Sequence, residues 1–385
     1  MGEREKLMED VERQIENLST DGAENVANRP TLEEIASQAG MSRARMQKLY
    51  NILYGNGPGE GRFLSLPFDQ RVEHGAGHQF KWDRAAELES VVELGNKGCF
   101  SGIVLSMGEA ERMQNAIKPD LPLIVKMDGH FRTASKEEVP FNRHANLGDV
   151  KRAFDAGADA IGLTFYVGGK DMQQDVERIS KVVSEAHDYN LPVVIWAYAR
   201  GPLPGRVGAD SLYWCHMGVS AAQSVGADIV KTKFPAPADD KDAYEHMLFG
   251  EKGAEGFKNG DTSSEGFVEA KMEEGAWAYW KLEQPENPEQ GFSHEKHVKR
   301  MNVVMQAADT TFVVVSGGAK AGDTAEEKLR ETTRIVMDAG AEGRIIGRNF
   351  WGVPVEEGLR LNEVVTETMD QEQYERKLKE ARFNV

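Results

Sequence analysis

The 385-residue chain is poor in cysteine, in aromatic residues, in positive charge and in long apolar runs, and each shortage removes a class of protein. Two cysteines cannot build a disulfide framework. Cys99 opens an apolar strand candidate and Cys215 sits in a helical pattern, so both are expected to be small buried thiols. Lysine and arginine number 46 against 63 aspartates and glutamates, a formal net charge of −17. Sequence-independent binding to nucleic acid needs a basic footprint that displaces counterions, and this balance is the reverse. Any phosphate site must therefore be built locally from backbone N–H groups and a few cations. No apolar run reaches membrane length, and the start MGEREKLMEDVERQIEN is charged without an apolar core. The expectation is a cytoplasmic protein with neither membrane nor nucleic acid as partner. Histidine offers no metal set: His74 and His78 are four apart but lie in a glycine-containing loop, so no metal and no other cofactor is expected.

What the chain does have is one grammar repeated after residue 60: a short β-branched run, a polar or glycine-rich break, then an amphipathic helical stretch. The strand candidates are 63–70, 100–106, 122–129, 159–168, 192–201, 228–234, 312–318 and 343–350. Helical patterns lie between them, as at 171–189, 211–226, 324–340 and 355–369. Eight alternating units predict a closed parallel (β/α)8 (TIM) barrel over residues 61–370, with 371–385 as a C-terminal tail. The tags DAGADAIGL, SVGADIVKT and DAGAEGRII read as turns in which glycine ends a helix before the next strand. Residues 235–295, rich in Pro, Gly, Asp and Glu, read as a long loop, a lid or a subunit contact over the barrel mouth.

Residues 1–60 form a helical N-terminal extension. Within it TLEEIASQAGMSRARMQKLYNIL (31–53) superficially reads as helix, glycine-containing turn, helix. A DNA-binding reading competes there with a packing extension, and the acidic chain favours packing.

Side chains at the C-terminal ends of barrel strands converge on one pocket, so polar residues there are the candidates for chemistry. Strand one ends in Asp69, with His74 just beyond. In strand five a period of two sends Trp196, Tyr198 and Arg200 to one face. Strand six carries Lys231 and Lys233, again on one face. Burial and a second nearby cation both favour a neutral, nucleophilic amine, and spacing alone does not choose between the two lysines. Strand seven ends in Ser316-Gly317-Gly318 and strand eight in Gly347-Arg348, where glycine backbone and a guanidinium suit a phosphate.

In that order the pieces FLSLPFDQRVEH, VVIWAYARG, GADIVKTKF, VVVSGGAKAG and IIGRNF resemble the archaeal-type (DhnA-like) class I fructose-bisphosphate aldolases over roughly residues 50–370. The resemblance implies metal-free cleavage of fructose 1,6-bisphosphate to dihydroxyacetone phosphate and glyceraldehyde 3-phosphate by a homo-oligomer, often a decamer of pentameric rings. It places the Schiff-base lysine on Lys231 and not Lys233, proton transfer on Tyr198 beside Trp196, and on Asp69 the binding of substrate hydroxyls and assistance of carbinolamine chemistry. It also makes the SGG and GRN segments the phosphate cradle. Related Schiff-base or transaldolase-like enzymes acting on another phosphorylated keto sugar share the barrel and the lysine. A rival of another class is a non-catalytic barrel whose N-terminal region binds a partner.

Overall fold

The computed structural model describes residues 3–69, 87–129, 145–169, 172–249, 274–286, 291–317 and 325–369. Eight parallel strands close a barrel: β1 Phe63–Phe68, β2 Gly102–Ser106, β3 Leu123–Lys126, β4 Ala160–Val167, β5 Val193–Ala199, β6 Ile229–Thr232, β7 Phe312–Ser316 and β8 Gly343–Ile345. Each strand pairs with the next in sequence and β8 pairs with β1. Each of the eight expected strands is present, and each is shorter than the run that suggested it, β8 most of all. Among the described residues no helix is long and apolar enough to cross a membrane.

Strand alternation divides the core in two. Val193, Ile195 and Ala197 face the outer helices, as do Val230, Val313 and Val315. Val194 and Trp196 face inward with Ile229, Phe312, Val314 and Ile345. Cys215 joins the outer core, where burial pushes its thiol far above the ordinary range; Cys99 is half-buried.

The inner core is completed from outside the barrel. Helices α1 Glu3–Glu16, α2 Gly22–Ala27, α3 Leu32–Gln38 and α4 Arg43–Tyr50 precede β1, and a π-helical turn Asn51–Gly55 follows. Thr31 and Glu34 form a capping box that starts α3, Gly40 turns with a φ of 56°, and Ser42 caps α4. Leu32, Ile35, Leu49, Ile52 and Leu53 insert against Phe63, Ile124, Ala160, Val194 and Phe312. The helix-turn-helix-like segment is thus a plug for the barrel floor.

Basic residues fasten the plug to the three glycine tags. Arg29 pairs with Glu342 at 3.3 Å, Arg45 with Asp228 at 3.5 Å and Lys48 with Asp159 at 3.4 Å. Each tag carboxylate also accepts a backbone N–H from the start of a strand, given by the first residue at Val193 (to Asp228) and Leu123 (to Asp159) and by the second at Val313 (to Glu342). Beyond turn chemistry, the tags are docking points.

The 235–295 segment is not the structureless loop its composition suggests. Residues 241–249 and Glu274–Glu283 are helical, and 250–273 lie outside the described residues. Trp277 is buried against Phe249, and Glu283 accepts from Arg300 and from the Leu212 N–H. Burial pushes the Glu283 carboxyl up, and Arg300 opposes that.

Candidate active site

The site is assembled from strand ends. On β6, Ile229 and Lys231 share the inward face, and Lys231 is 7% exposed. Its Nζ lies 5.1 Å from the centroid of the Trp196 ring and 5.9 Å from that of Tyr198. The β5–β6 register sets Trp196 beside Lys231, which brings an amine, an indole and a phenol together within cation–π range of about 6 Å. Lys233 lies one residue past the end of β6, where its Nζ is 3.4 Å from Asp210 Oδ2 and 5.4 Å from the Tyr198 centroid. Both lysines approach the same phenol, as their spacing implied. Lys231 is buried beside the two rings, and Lys233 sits at the rim with Asp210.

Arg200 follows β5 and lies 5.6 Å from the centroids of both Tyr166 and Tyr198, with Asp210 3.9 Å away. Arg200 and Lys233 therefore form a cationic rim over Tyr198, sharing one counter-ion.

The opposite wall comes from β7, β8 and β1. Ser316 closes β7, is buried, and has its carbonyl 3.4 Å from the Arg344 guanidinium; burial lowers Arg344 to about 10. Gly317 follows, and its carbonyl accepts from Asn349 at 3.3 Å. β8 ends at Ile345, so Arg348 opens the short helix Arg348–Trp351 with Gly347 as its N-cap and is not itself a strand residue. A Cβ on Gly347 would meet the Pro67 carbonyl at 2.7 Å and Trp351 Nε1 at 2.8 Å, so only glycine lets this turn approach β1. Trp351 Nε1 donates to that same carbonyl at 2.8 Å. Arg348 is lowered by burial, while Tyr198 and Asp69 act electrostatically to raise it. Asp69, immediately after β1 and 7% exposed, thus faces the same space as Arg348 and Tyr198. His74 and Gly318 lie outside the described residues.

Sequence reasoning missed one inward group. Lys126 ends β3, is 1% exposed and carries its Nζ 5.6 Å from the Trp196 centroid. It pairs with Asp128, whose carboxylate also accepts the Thr164 N–H at 2.9 Å and Arg178 Nη1 at 2.8 Å. The signal was present in LIVKMDG, where alternation puts Ile124, Lys126 and Asp128 on one face, as it does for Lys231 and Lys233. Gly162 of β4 makes the room, because a Cβ there would meet the Trp196 ring at 2.8 Å and Lys126 Cδ at 3.2 Å. Trp196 Nε1 and Thr164 Oγ1 are buried without a hydrogen-bond partner among the described residues. Buried donors are costly to leave unmatched, and here they line the centre of the barrel mouth.

Known proteins resemble this chain over most of its length. The sequence model of the DeoC/LacD family aldolases matches residues 63–352. A probable fructose-bisphosphate aldolase class 1 of Chlamydia muridarum (strain MoPn / Nigg) is 26% identical over 321 residues, 82% of this chain and 81% of the relative. The fructose-bisphosphate aldolase class 1 of Halobacterium salinarum is 25% identical over 76% of this chain and 85% of its own. An archaeal fructose 1,6-bisphosphate aldolase superposes with a TM-score of 0.60 at 22% identity, covering 83% of this chain and 98% of that one. The fructose-bisphosphate aldolase of Slackia heliotrinireducens gives a TM-score of 0.64 at 18% identity over 91% and 95% of the two chains. The resemblance to archaeal-type class I aldolases read from the strand-end motifs therefore extends along the barrel, and the chain belongs to the DeoC/LacD family of aldolases.

Proposed function

We propose that the protein is a class I fructose-bisphosphate aldolase that reversibly cleaves fructose 1,6-bisphosphate to dihydroxyacetone phosphate and glyceraldehyde 3-phosphate, with Lys231 as the Schiff-base lysine. The observation that carries this reading is a buried amine at the mouth of β6, held between Trp196 and Tyr198. Neutral Lys231 attacks the C2 ketone, and loss of water leaves a cationic iminium. That cation is the electron sink for cleavage of the C3–C4 bond, and covalent catalysis divides one hard carbanion-forming step into easier ones. Tyr198 exchanges protons with the substrate, and Asp69 orients its hydroxyls.

One phosphate rests against Ser316 and Gly317 on one side and Gly347 and Arg348 on the other, and Gly318, outside the described residues, is assigned to the same cradle by the sequence motif. The guanidinium there has been partly stripped of water, which strengthens a charge-assisted contact. The rim cations Arg200 and Lys233 face the remaining end of the substrate, and His74, outside the described residues, is a further substrate-binding candidate. The same reading carries a homo-oligomer, which light scattering would size.

The second reading is a related Schiff-base or transaldolase-like enzyme acting on another phosphorylated keto sugar, and it is supported by the 2-amino-3,7-dideoxy-D-threo-hept-6-ulosonate synthase of Halobacterium salinarum, 27% identical over 46% of this chain. Aldehyde release from fructose 1,6-bisphosphate, assayed with and without EDTA, separates these cases. Chelator-resistant release supports the proposal, whereas metal-restorable activity, or none with this ketose, overturns it.

A further inference from the structure

We propose that Lys126 is a second catalytic amine of this site, acting on the oxygen of the carbon that Lys231 attacks; the proposal rests on the Schiff-base reading above. Lys126 and Lys231 enter the barrel from β3 and β6, and both side-chain nitrogens approach the one indole ring of Trp196, at 5.6 and 5.1 Å from its centroid. The Trp196 ring is thus the one group that both amines approach.

The arrangement is built for an ion and not for filling space. Lys126 is 1% exposed, and a buried ion pair is commonly no more stabilising than apolar residues of similar volume. Asp128 nevertheless holds it doubly: the carboxylate pairs with Nζ, and the Asp128 carbonyl accepts from Nζ at 3.0 Å. Asp128 in turn is fixed by both contacts to the Thr164 N–H and by Arg178 from the helix Met172–Asp188, which Asp175 also grips at 3.1 Å. Gly162 gives up a side chain to let Lys126 and Trp196 meet. A charge clamped so firmly beside the Trp196 ring is preorganised for an oxygen that gains charge during reaction.

The step balances without another reactant. Neutral Lys231 forms the N–C bond, giving a carbinolamine. Lys126 then passes one proton to its hydroxyl, the C–O bond breaks, water leaves, and the Lys231 nitrogen lone pair completes the C=N bond of the iminium. Lys126 is left as the neutral amine and regains its proton from solvent.

Lys126→Met is the test, because Asp128 keeps Arg178 and the Thr164 N–H and is not left as an unpaired buried charge. Wild-type and variant protein are mixed with dihydroxyacetone phosphate, quenched with borohydride at intervals, and Lys231 is quantified by peptide mass spectrometry; melting temperature and equilibrium binding are measured alongside. The expected result is a folded variant that binds the ketose within about threefold of wild type but forms the trapped adduct about 10²- to 10⁴-fold more slowly, the range of general acid catalysis. Lys126→Arg, which keeps the charge, should recover part of that loss. Adduct formation at the wild-type rate in Lys126→Met would overturn the proposal, as would loss of ketose binding in parallel with rate. If Lys126→Met fails to fold, Lys126→Arg decides: a reduced trapping rate with unchanged binding supports the role, and a wild-type rate with the altered donor geometry removes it. Absence of any adduct in the wild type would instead sink the Schiff-base reading itself.

Discussion

The two ends of the barrel use the same kinds of residue for opposite purposes. At the floor, carboxylates of Asp159, Asp228 and Glu342 each meet a backbone N–H and a basic residue of the N-terminal extension, over an inner core of leucine, isoleucine and phenylalanine. At the mouth, Lys231, Lys126, Arg348 and Asp69 converge where Trp196 Nε1 and Thr164 Oγ1 have no partner among the described residues. Floor charges are matched by a plug that never leaves the chain. Mouth charges are arranged for something that comes and goes. The difference teaches how to read a barrel: at the floor, charges close on the chain's own extension and mark stability, and at the mouth, buried cations gathered around aromatic rings at the strand ends mark chemistry.

The largest expected effect lies at the mouth. Lys231→Met should abolish cleavage while leaving the melting temperature close to wild type, since the amine sits among rings and a thioether fills similar space; steady-state assay and thermal denaturation check both halves. Tyr198→Phe should lower kcat by about 10²- to 10⁴-fold with little change in ketose binding, if the hydroxyl moves a proton. An equal loss in binding alone would make Tyr198 a positioning residue. Arg348→Ala should raise KM for the bisphosphate by about 10- to 100-fold, the scale of a charge-assisted hydrogen bond worth about 1.5–3 kcal/mol, and unchanged kinetics would remove Arg348 from the phosphate site.

At the floor the pattern should invert. Arg29→Ala breaks a buried pair with Glu342 and three contacts to the Met305, Ala308 and Thr311 carbonyls, so it should cost about 3–5 kcal/mol of stability in urea titration while the folded enzyme keeps its kcat. Lys48→Ala, at a half-exposed pair, should cost less than about 1 kcal/mol. A floor substitution that changed kcat without changing stability would break the division between the two ends.

Much of this was legible in the sequence because strand alternation is local. ADIVKTK sets two lysines on one face, and WAYAR sets three large polar residues on another, whatever surrounds them. The limits were tertiary. Lys126 carries the same two-residue signal, but its meaning depends on Arg178 arriving from a helix and on Gly162 leaving space. The expected eighth strand ran through Arg348; the chain instead turns at Gly347, because β1 presents the Pro67 carbonyl there. The glycine tags read as turns because their basic partners lie far away in sequence. The 235–295 segment read as loop because its composition hid the helix Glu274–Glu283, whose stability comes from burying Trp277 and from Glu283 meeting Arg300.

Covalent trapping tests the central claim most directly. Wild-type protein incubated with dihydroxyacetone phosphate and borohydride, digested and sequenced by mass spectrometry, should carry the reduced adduct on Lys231 and leave Lys233 and Lys126 unmodified. An adduct on either of those lysines, or persistent cleavage of fructose 1,6-bisphosphate by Lys231→Met, would contradict the account.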